Sequence, residues 1–171
     1  ASAYQAPNGG MTYFKAKDEY VDPYLSAYTA LGFSWLKKLG YDIPVDVSKN
    51  LEKYLMGFLR NDKAPSYYSK EMVASVRAVI LSAYKDVGNI TVDDIIRLRG
   101  EEKSMSLFGK AQYMQAAGKF PQAAHIARET LDSVFSSGIE SGGKFSFNDT
   151  HTSGFDRILA TNLRDNCAVL S

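Results

Sequence analysis

The chain has 171 residues and an apolar content of 45%, which predicts one domain with a hydrophobic core and excludes an intrinsically disordered chain. Its formal net charge is +1, and lysine and arginine are spread among acidic residues, so nucleic acid is not an expected partner. No apolar run approaches the roughly 20 residues of a membrane span, and the single cysteine, Cys167, cannot form an internal disulfide.

The first predicted helix begins at Asp22 and Pro23, which are typical of an N-cap and a first helical residue. It runs to about Leu39, and Gly40 is a natural stop. Apolar residues lie on nearly every side of this segment, so we expect a helix that is buried on most sides.

The next three helices differ in their patterns. The second, about Val47–Leu59, is amphipathic with a charged outer face, whereas the third, about Lys70–Val87, is largely apolar. Ser69 is a plausible cap for the third helix and Gly88 a plausible stop. The fourth is short, from Thr91 to about Arg99, with Asp94 as a capping-box partner and Gly100 as its stop.

Three further helices are predicted. The fifth, about Met105–Ala117, is small and apolar, and the sixth, Pro121 to about Ser136, is amphipathic. The inward face expected for the sixth helix contains Ala124, Ala127, Leu131, Val134 and Phe135, and the outward face contains His125, Arg128, Glu129 and Asp132. The seventh starts near Leu159, and its pattern is cut off at Ser171, so we expect a truncated C-terminus.

Apolar and charged helices therefore alternate, which predicts an all-α fold with an inner and an outer layer of helices stacked as antiparallel hairpins. Two Gly-Gly pairs, Gly9-Gly10 and Gly142-Gly143, are the places where we expect β-hairpin-like structure. They lack the spacing of phosphate-binding loops. We expect tight turns with positive φ, followed by aromatic residues that cover a helix end.

Candidate metal or catalytic residues are few. His125, His151 and Cys167, with the nearby acids Glu129, Asp149 or Asp156, could form a zinc site, but their spacing matches no zinc pattern. We interpret the histidines as solvated, with His125 and Glu129 as an ordinary i,i+4 pair. Cys167 could be a nucleophile, but a small buried thiol is the favoured interpretation.

The adjacent acids Asp93 and Asp94 could protonate a substrate. At the first turn of a helix, acids more often complement the helix dipole, and this is the interpretation that we favour. The sequence therefore predicts no catalytic residue, no metal site and no bound cofactor.

The segment AQYMQAAGKFPQAAHIARETLD is similar to one tetratricopeptide unit, with Gly118, Phe120, Ala123 and Ala127 at packing positions. Only one unit has this pattern, and a stable array needs about three. A helical-repeat module for protein interaction remains the alternative function.

Three segments, taken in order, resemble bacterial alpha-2-macroglobulins. Pro7–Pro44 resembles the family's Gly-Gly segment, its Asp-Pro helix and its Gly-Tyr-x-Ile-Pro turn, and Lys103–Phe120 resembles a later helix. The third is Gly142-Gly143 followed by TNLRDNCAVLS. The matching residues are Gly9, Gly10, Phe14, Asp22, Pro23, Leu25, Ser26, Ala27, Tyr28, Gly40, Tyr41, Ile43, Pro44, Asn162, Arg164, Ala168 and Leu170.

The resemblance implies an alpha/alpha toroid, the fold of the thioester domain, of which residues 1–171 would be one fragment with about three of six inner/outer helix pairs. The fragment would be truncated at its C-terminus and at its N-terminus, where Ala1 rather than Met is the first residue. The family entraps proteases, so the expected partners are other domains of a long parent chain and the target proteases. The expected location is periplasmic or extracellular, and self-association through exposed toroid edges is a further expectation.

The covalent chemistry of the family depends on a Cys-x-x-Gln thioester, and this chain departs from that pattern. Cys167 is followed by Ala168, Val169 and Leu170, so no glutamine partner is present. The thioester, if the parent has one, would lie upstream of Ala1. A rival hypothesis is an enzyme on the same toroid fold, such as a terpene cyclase, for which Asp93, Asp94, His125, His151 and Cys167 would have to converge.

Overall fold

The computed structural model describes residues 1–15, 20–61, 64–87, 89–148 and 161–171. The helices in these ranges are α1 (Pro23–Lys38), α2 (Val45–Arg60), α3 (Lys70–Tyr84), α4 (Val92–Leu98), α5 (Leu107–Ala117), α6 (Ala124–Ser136) and α7 (Asn162–Leu170). Short 3-10 helices cover Ser2–Tyr4, Arg99–Ser104 and Pro121–Ala123, and one hairpin joins β1 (Gly138–Ser141) to β2 (Lys144–Phe147). The described chain is therefore mostly helical with a single small hairpin.

The helix starts follow the predicted caps. The Asp22 carboxylate accepts a hydrogen bond from the Leu25 N–H at 2.8 Å, and the Ser69 hydroxyl accepts one from the Met72 N–H at 3.2 Å. Gly40, directly after the C-cap of α1, has a φ of +83°. These local signals are reliable because each satisfies a helix-end group that has no partner within the helix.

One predicted helix end is wrong, and one predicted stop residue is misassigned. α3 ends at Tyr84, where the Val87 N–H bonds the Tyr84 carbonyl in a tighter turn, and not at Val87. α4 ends at Leu98 with Arg99 as its C-cap, close to the predicted end, but Gly100 is not its stop residue because it lies inside the 3-10 helix Arg99–Ser104. The predicted stop at Gly88 and the predicted start of the seventh helix near Leu159 lie outside the described residues.

The helices form two layers. α1 packs on α3, α3 packs on α5, and α5 packs on α7, so these four helices form an inner layer. α2 packs on α1 and α3, α4 packs on α3 and α5, and α6 packs on α5, on the outer side. Nearly every residue of α3 is buried. The layering agrees with the predicted alternation of apolar and charged helices.

The burial of α1 differs from the prediction. Its first two turns are buried through Tyr24, Ala27 and Leu31, but Trp35 and Leu36 near its end are exposed. The prediction of a helix buried on most sides is therefore wrong for that end.

The inward face of α6 is rotated by about one residue from the predicted one. Ile126, Thr130 and Val134 are buried, whereas Ala124 and Phe135 are exposed. Thr130 is tolerated inside because its hydroxyl donates to the Ile126 carbonyl at 2.9 Å, which removes the penalty of an unpaired buried donor.

The two Gly-Gly pairs both form turns, as expected, but they differ in extent. Gly142 and Gly143, with φ of +57° and +72°, join the strands of the antiparallel hairpin. At the other pair only Gly9 has a positive φ, +93°, and the pairing is limited to one bridge between Gln5 and Met11.

The prediction that aromatic residues cover the helix ends holds for one of the two segments. Phe147 is buried, and its N–H donates to the Asn166 side chain of α7 at 2.8 Å. After Gly9-Gly10, however, Tyr13 and Phe14 are exposed, and it is Met11 that is buried at the start of α1. The Met11 N–H donates to the Ser26 hydroxyl at 2.8 Å, so a polar helix residue holds this segment.

Candidate functional site

The two adjacent acids of α4 differ in their surroundings. Asp94 accepts hydrogen bonds from the Thr91 N–H at 3.0 Å and from Arg60 Nη2 at 2.9 Å, and Asp93 is exposed. Burial acts to raise the pKa of Asp94, but the hydrogen bonds from Arg60 and Thr91 and the charge of Arg60 outweigh it and lower the pKa. A carboxylate that is kept ionised and paired is a helix cap and not a proton donor.

The predicted zinc residues do not form a site within the described residues. His125 is exposed on α6, and Glu129 accepts two hydrogen bonds from Arg99 Nη2, at 2.9 and 2.8 Å. The expected pair of His125 and Glu129 is therefore wrong. His151, Asp149 and Asp156 lie outside the described residues. Among the residues that are described, no three histidine, cysteine or acidic side chains are grouped as metal ligands.

Cys167 is exposed on α7, so the prediction of a buried thiol is wrong. Its neighbours Ala168 and Val169 carry the inward face of the helix, and Leu170 is exposed. The rival enzyme hypothesis also loses support, because Asp93, Asp94, His125 and Cys167 do not come together as a group of metal ligands.

The start of α7 is joined to two inner helices through Arg164. Its Nη1 donates to the Tyr24 hydroxyl of α1 at 2.9 Å, and its guanidinium lies 4.4 Å from the centre of the Phe108 ring of α5. Nε donates to the buried carboxylate of Asp165 at 2.7 Å. Burial raises the pKa of Tyr24 to about 12, although Arg164 acts in the opposite direction. These contacts hold α7 against α1 and α5, which is a structural role.

A groove of about 480 Å³, with a mixed polar and apolar lining, lies between the last turns of α1, the start of α2 and the end of α3. Ala30, Phe33 and Tyr84 contribute to its lining, and Lys37 and Glu52 are among its charged residues. Large apolar side chains of the same region are exposed, namely Trp35, Leu36, Leu39, Tyr41 and Val45. Exposed apolar surface of this kind is typical of contact surfaces between domains or proteins.

A second cleft, of about 510 Å³, lies between the 3-10 helix Arg99–Ser104 and α6. Its lining includes Ile126, Glu102, Thr130 and Ser133. Lys110 lies close by, with its Nζ 3.5 Å from Glu102 Oε1 and 3.3 Å from the Ser133 hydroxyl. These groups pair mainly with one another, so the cleft offers an outside ligand few free partners.

Reasoning from sequence missed the partners of several polar residues. Arg164 was noted as part of a motif, but Tyr24 and Phe108, which it contacts, lie far from it in the sequence. The same holds for Tyr68, whose hydroxyl reaches Asp22 at 3.3 Å. The only sequence signal for either contact was an excess of tyrosine, 11 residues in all.

No protein-family model matches the chain, and no curated protein matches it. Solved structures do match. Salmonella alpha-2-macroglobulin reacted with methylamine is 14% identical with a TM-score of 0.79, over 98% of this chain and 10% of that one. Native Escherichia coli alpha-2-macroglobulin, spanning domain MG7 to the C-terminus, is 16% identical with a TM-score of 0.79, over 98% and 25% of the two chains.

The trypsin-activated form of the Escherichia coli protein is 15% identical and matches 76% of this chain, with a TM-score of 0.65. At these identities the likeness establishes the fold alone. The chain folds, over nearly its whole length, like one region of bacterial alpha-2-macroglobulins, and it spans a quarter or less of those chains. The resemblance noted from the sequence is thus confirmed at the level of structure.

Proposed function

We propose that this chain is a non-catalytic structural part of a bacterial alpha-2-macroglobulin-like protease inhibitor. The observation that carries the proposal is the structural match over 98% of the chain. The match is supported by the sequence resemblance, whose three segments occur in the same order along the chain. The relatives themselves are described as reacted with methylamine and as activated by trypsin.

The proposed fold is a portion of an alpha/alpha toroid of the thioester-domain type, with residues 1–171 as a single fragment. The pairs α1 with α2, α3 with α4 and α5 with α6 would be three inner/outer pairs, and α7 would begin a fourth. The inner helices begin at Pro23, Lys70, Leu107 and Asn162, so their spacing is irregular. A tetratricopeptide array has a constant period near 34 residues, which makes it the weaker alternative.

The role proposed for the fragment is to complete the helical domain and to pack against the rest of the parent chain. The exposed apolar residues at the end of α1 are the surface that we assign to this contact. No reactive residue is assigned here, since Cys167 lacks a Cys-x-x-Gln context. Its proposed partners are thus other domains of the parent and, through the parent, its target proteases.

The proposed location is the periplasm or the extracellular side of the envelope. Within the described residues, no helix has the length and hydropathy needed to cross a membrane. Export or anchoring would therefore be carried by other parts of the parent chain in this proposal.

The first test is to read the coding DNA on both sides of this segment. We expect one long frame with a secretion or lipoprotein signal. An upstream Cys-x-x-Gln would indicate covalent trapping, and its absence a non-covalent trap. A frame that begins and ends near Ala1 and Ser171 would overturn the proposal.

The second test uses the parent protein and trypsin. A trap blocks access of large substrates but leaves the protease active site free, so cleavage of a protein substrate should fall while cleavage of a small peptide is retained. Leu31→Asp in the core should abolish trapping, because an unpaired buried charge unfolds the inner layer. Leu170→Asp, at an exposed position, is the matched control. Equal loss of both cleavage activities would show active-site inhibition instead.

A further inference from the structure

Within the described residues, one oxygen of the Asp22 carboxylate has no hydrogen-bond partner. The side chain is 9% exposed, and Oδ1 accepts hydrogen bonds from the Leu25 N–H at 2.8 Å and the Tyr68 hydroxyl at 3.3 Å. Within the described residues, Oδ2 accepts no hydrogen bond and no lysine or arginine pairs with the group. The carboxylate thus caps α1 through one oxygen and keeps the other available.

Tyrosines from three parts of the chain lie near this carboxylate, namely the segment before α1, Tyr54 of α2 and the loop before α3. Tyr13 and Tyr20 precede Asp22 in the segment before α1, and Tyr67 and Tyr68 come from the loop before α3. The rings of Tyr67 and Tyr68 are 5.2 Å apart in an edge-to-face arrangement, and Tyr67 is hydrogen-bonded to Tyr20. Tyr20 is 67% exposed and Tyr13 is 49% exposed, so their rings are accessible to a partner.

The negative charge of Asp22 helps to raise the pKa of four of these tyrosines, Tyr13, Tyr54, Tyr67 and Tyr68. Burial and then the Asp22 charge raise the pKa of Tyr54 to about 12, and the same two causes raise the pKa of Tyr13 and of Tyr68. For Tyr67 the causes are burial, the bond with its neighbouring tyrosine, and then Asp22. A raised pKa keeps a phenol neutral, so the Asp22 carboxylate is the negative charge among these rings, and it favours a positive charge beside it.

We propose that this tyrosine cluster binds the ammonium group of a lysine side chain presented by a protein segment. Aromatic faces attract an organic cation, and the unpaired Asp22 Oδ2 supplies the opposite charge. A hard metal ion fits poorly, because it prefers several oxygen ligands and the described residues group no second acid with Asp22. Exposed tyrosines give contact area with little loss of side-chain entropy.

Lysine fits better than arginine for a geometric reason. A guanidinium binds a carboxylate best through both oxygens, but Oδ1 already accepts two hydrogen bonds. A single available oxygen suits the compact charge of an ammonium group. The inference goes beyond the proposed function and does not depend on it.

The test is an NMR titration of the chain with N-acetyl-lysine-amide as the probe. The reporters are the amides of Leu25 and Tyr24, which donate to Asp22 Oδ1 and to the Tyr68 hydroxyl. Saturable shifts of both amides are expected. Asp22→Asn should weaken binding about tenfold, because the charge is lost while asparagine still caps the helix. Tyr20→Ala should weaken it about threefold through the lost aromatic face.

Tyr41→Ala is the matched control, because Tyr41 is 62% exposed and lies at the groove between α1, α2 and α3. It should leave binding unchanged, and circular dichroism should show the same helix content in all variants. The proposal is overturned if neither amide shifts in a saturable way, or if Asp22→Asn binds as well as the wild type. It is also overturned if N-acetyl-arginine-amide binds as tightly as the lysine probe.

Discussion

The two Gly-Gly segments look alike in sequence, yet glycine is required for different reasons in each. A Cβ atom on Gly9 would lie 2.2 Å from the carbonyl oxygen of Asn50, so this turn is pressed against the backbone of α2. A Cβ on Gly142 or Gly143 would meet no atom within 4 Å. There the demand comes from the hairpin turn, since both residues have positive φ, as two-residue hairpin loops require.

The comparison teaches that one dipeptide can meet two physical needs. In the first segment the close approach of two backbones leaves no room for a side chain. In the second segment the turn lies in open space, and only the dihedral angles matter. Both segments are nevertheless bonded to an inner helix or its cap, through the Asp22 N–H bonded to the Met11 carbonyl and through Phe147 bonded to Asn166 of α7.

The largest expected effect comes from Gly9→Ala. The new Cβ meets a rigid carbonyl at 2.2 Å and the residue must also keep a φ of +93°, so we expect a loss of about 3 kcal/mol in the free energy of unfolding. Urea unfolding followed by circular dichroism measures it. The matched change Gly143→Ala should cost about 1 kcal/mol, from the positive φ alone. Equal losses at the two positions would contradict the distinction.

Gly10→Ala should have the second largest effect. Its φ is not positive, but a Cβ would lie 2.8 Å from Val21 Cγ1 and 3.1 Å from Tyr54 Cζ. These are side-chain atoms that can move, so we expect a loss of about 2 kcal/mol. Val21→Ala in the same chain removes part of the clash. Gly10→Ala should therefore cost less in that background, and an unchanged cost would mean that the side chains are not its source.

A fall in pH should lower the stability of the region around α2 and α4 more than that of the β1–β2 hairpin. The pKa of Asp94 is lowered, so its pairing with Arg60 stabilises the fold above the ordinary aspartate pKa of about 3.9. That contribution is lost as the pH falls through the lowered pKa of the folded state. Asp94→Asn should cost about 1 kcal/mol near neutral pH and less in acid, where the wild-type carboxyl is also neutral.

Hydrogen exchange locates this loss. In Asp94→Asn, amides of α2 and α4 should exchange faster at neutral pH, while those of the β1–β2 hairpin should not change. Faster exchange in the hairpin alone would contradict the expectation that the first segment depends on α2 and the second does not.

The smallest effect is expected for Gly142→Asn. Asparagine adopts positive φ more readily than other residues with a side chain, and Asn-Gly is a preferred pair in two-residue hairpin loops. The added side chain has open space around it, so stability should change by less than about 0.5 kcal/mol, with a slight gain from the stiffer unfolded chain. A loss above 1 kcal/mol would show that the turn has unrecognised neighbours.

Much of the local structure was predictable from particular residues. Asp22, Ser69 and the pair of Thr91 with Asp94 were recognised as caps, because capping depends on neighbours within three positions. The alternation of apolar and amphipathic helices predicted the two layers. Errors arose where the outcome depended on distant residues, as with the rotated face of α6 and the exposed end of α1.

The candidate sites were less predictable than the fold. The sequence predicted no catalytic set, and in the structure Asp94 is paired with Arg60 and Glu129 with Arg99. Cys167 was expected to be buried but is exposed, because its position on α7 is decided by the packing of α7 on α5 and not by its own polarity. The tyrosine cluster was not recognised, since its members come from three separate segments.

The sequence by itself determined which segments are helical, where their caps lie, and that two glycine pairs interrupt the pattern. These features depend on backbone sterics and on groups a few residues apart, so they can be inferred from local order alone. Only the tertiary structure decided why each glycine pair is needed, which end of α1 stays exposed, and which tyrosines surround Asp22. Those outcomes depend on atoms far apart in the chain that packing brings within a few ångströms, and no local pattern records such distances.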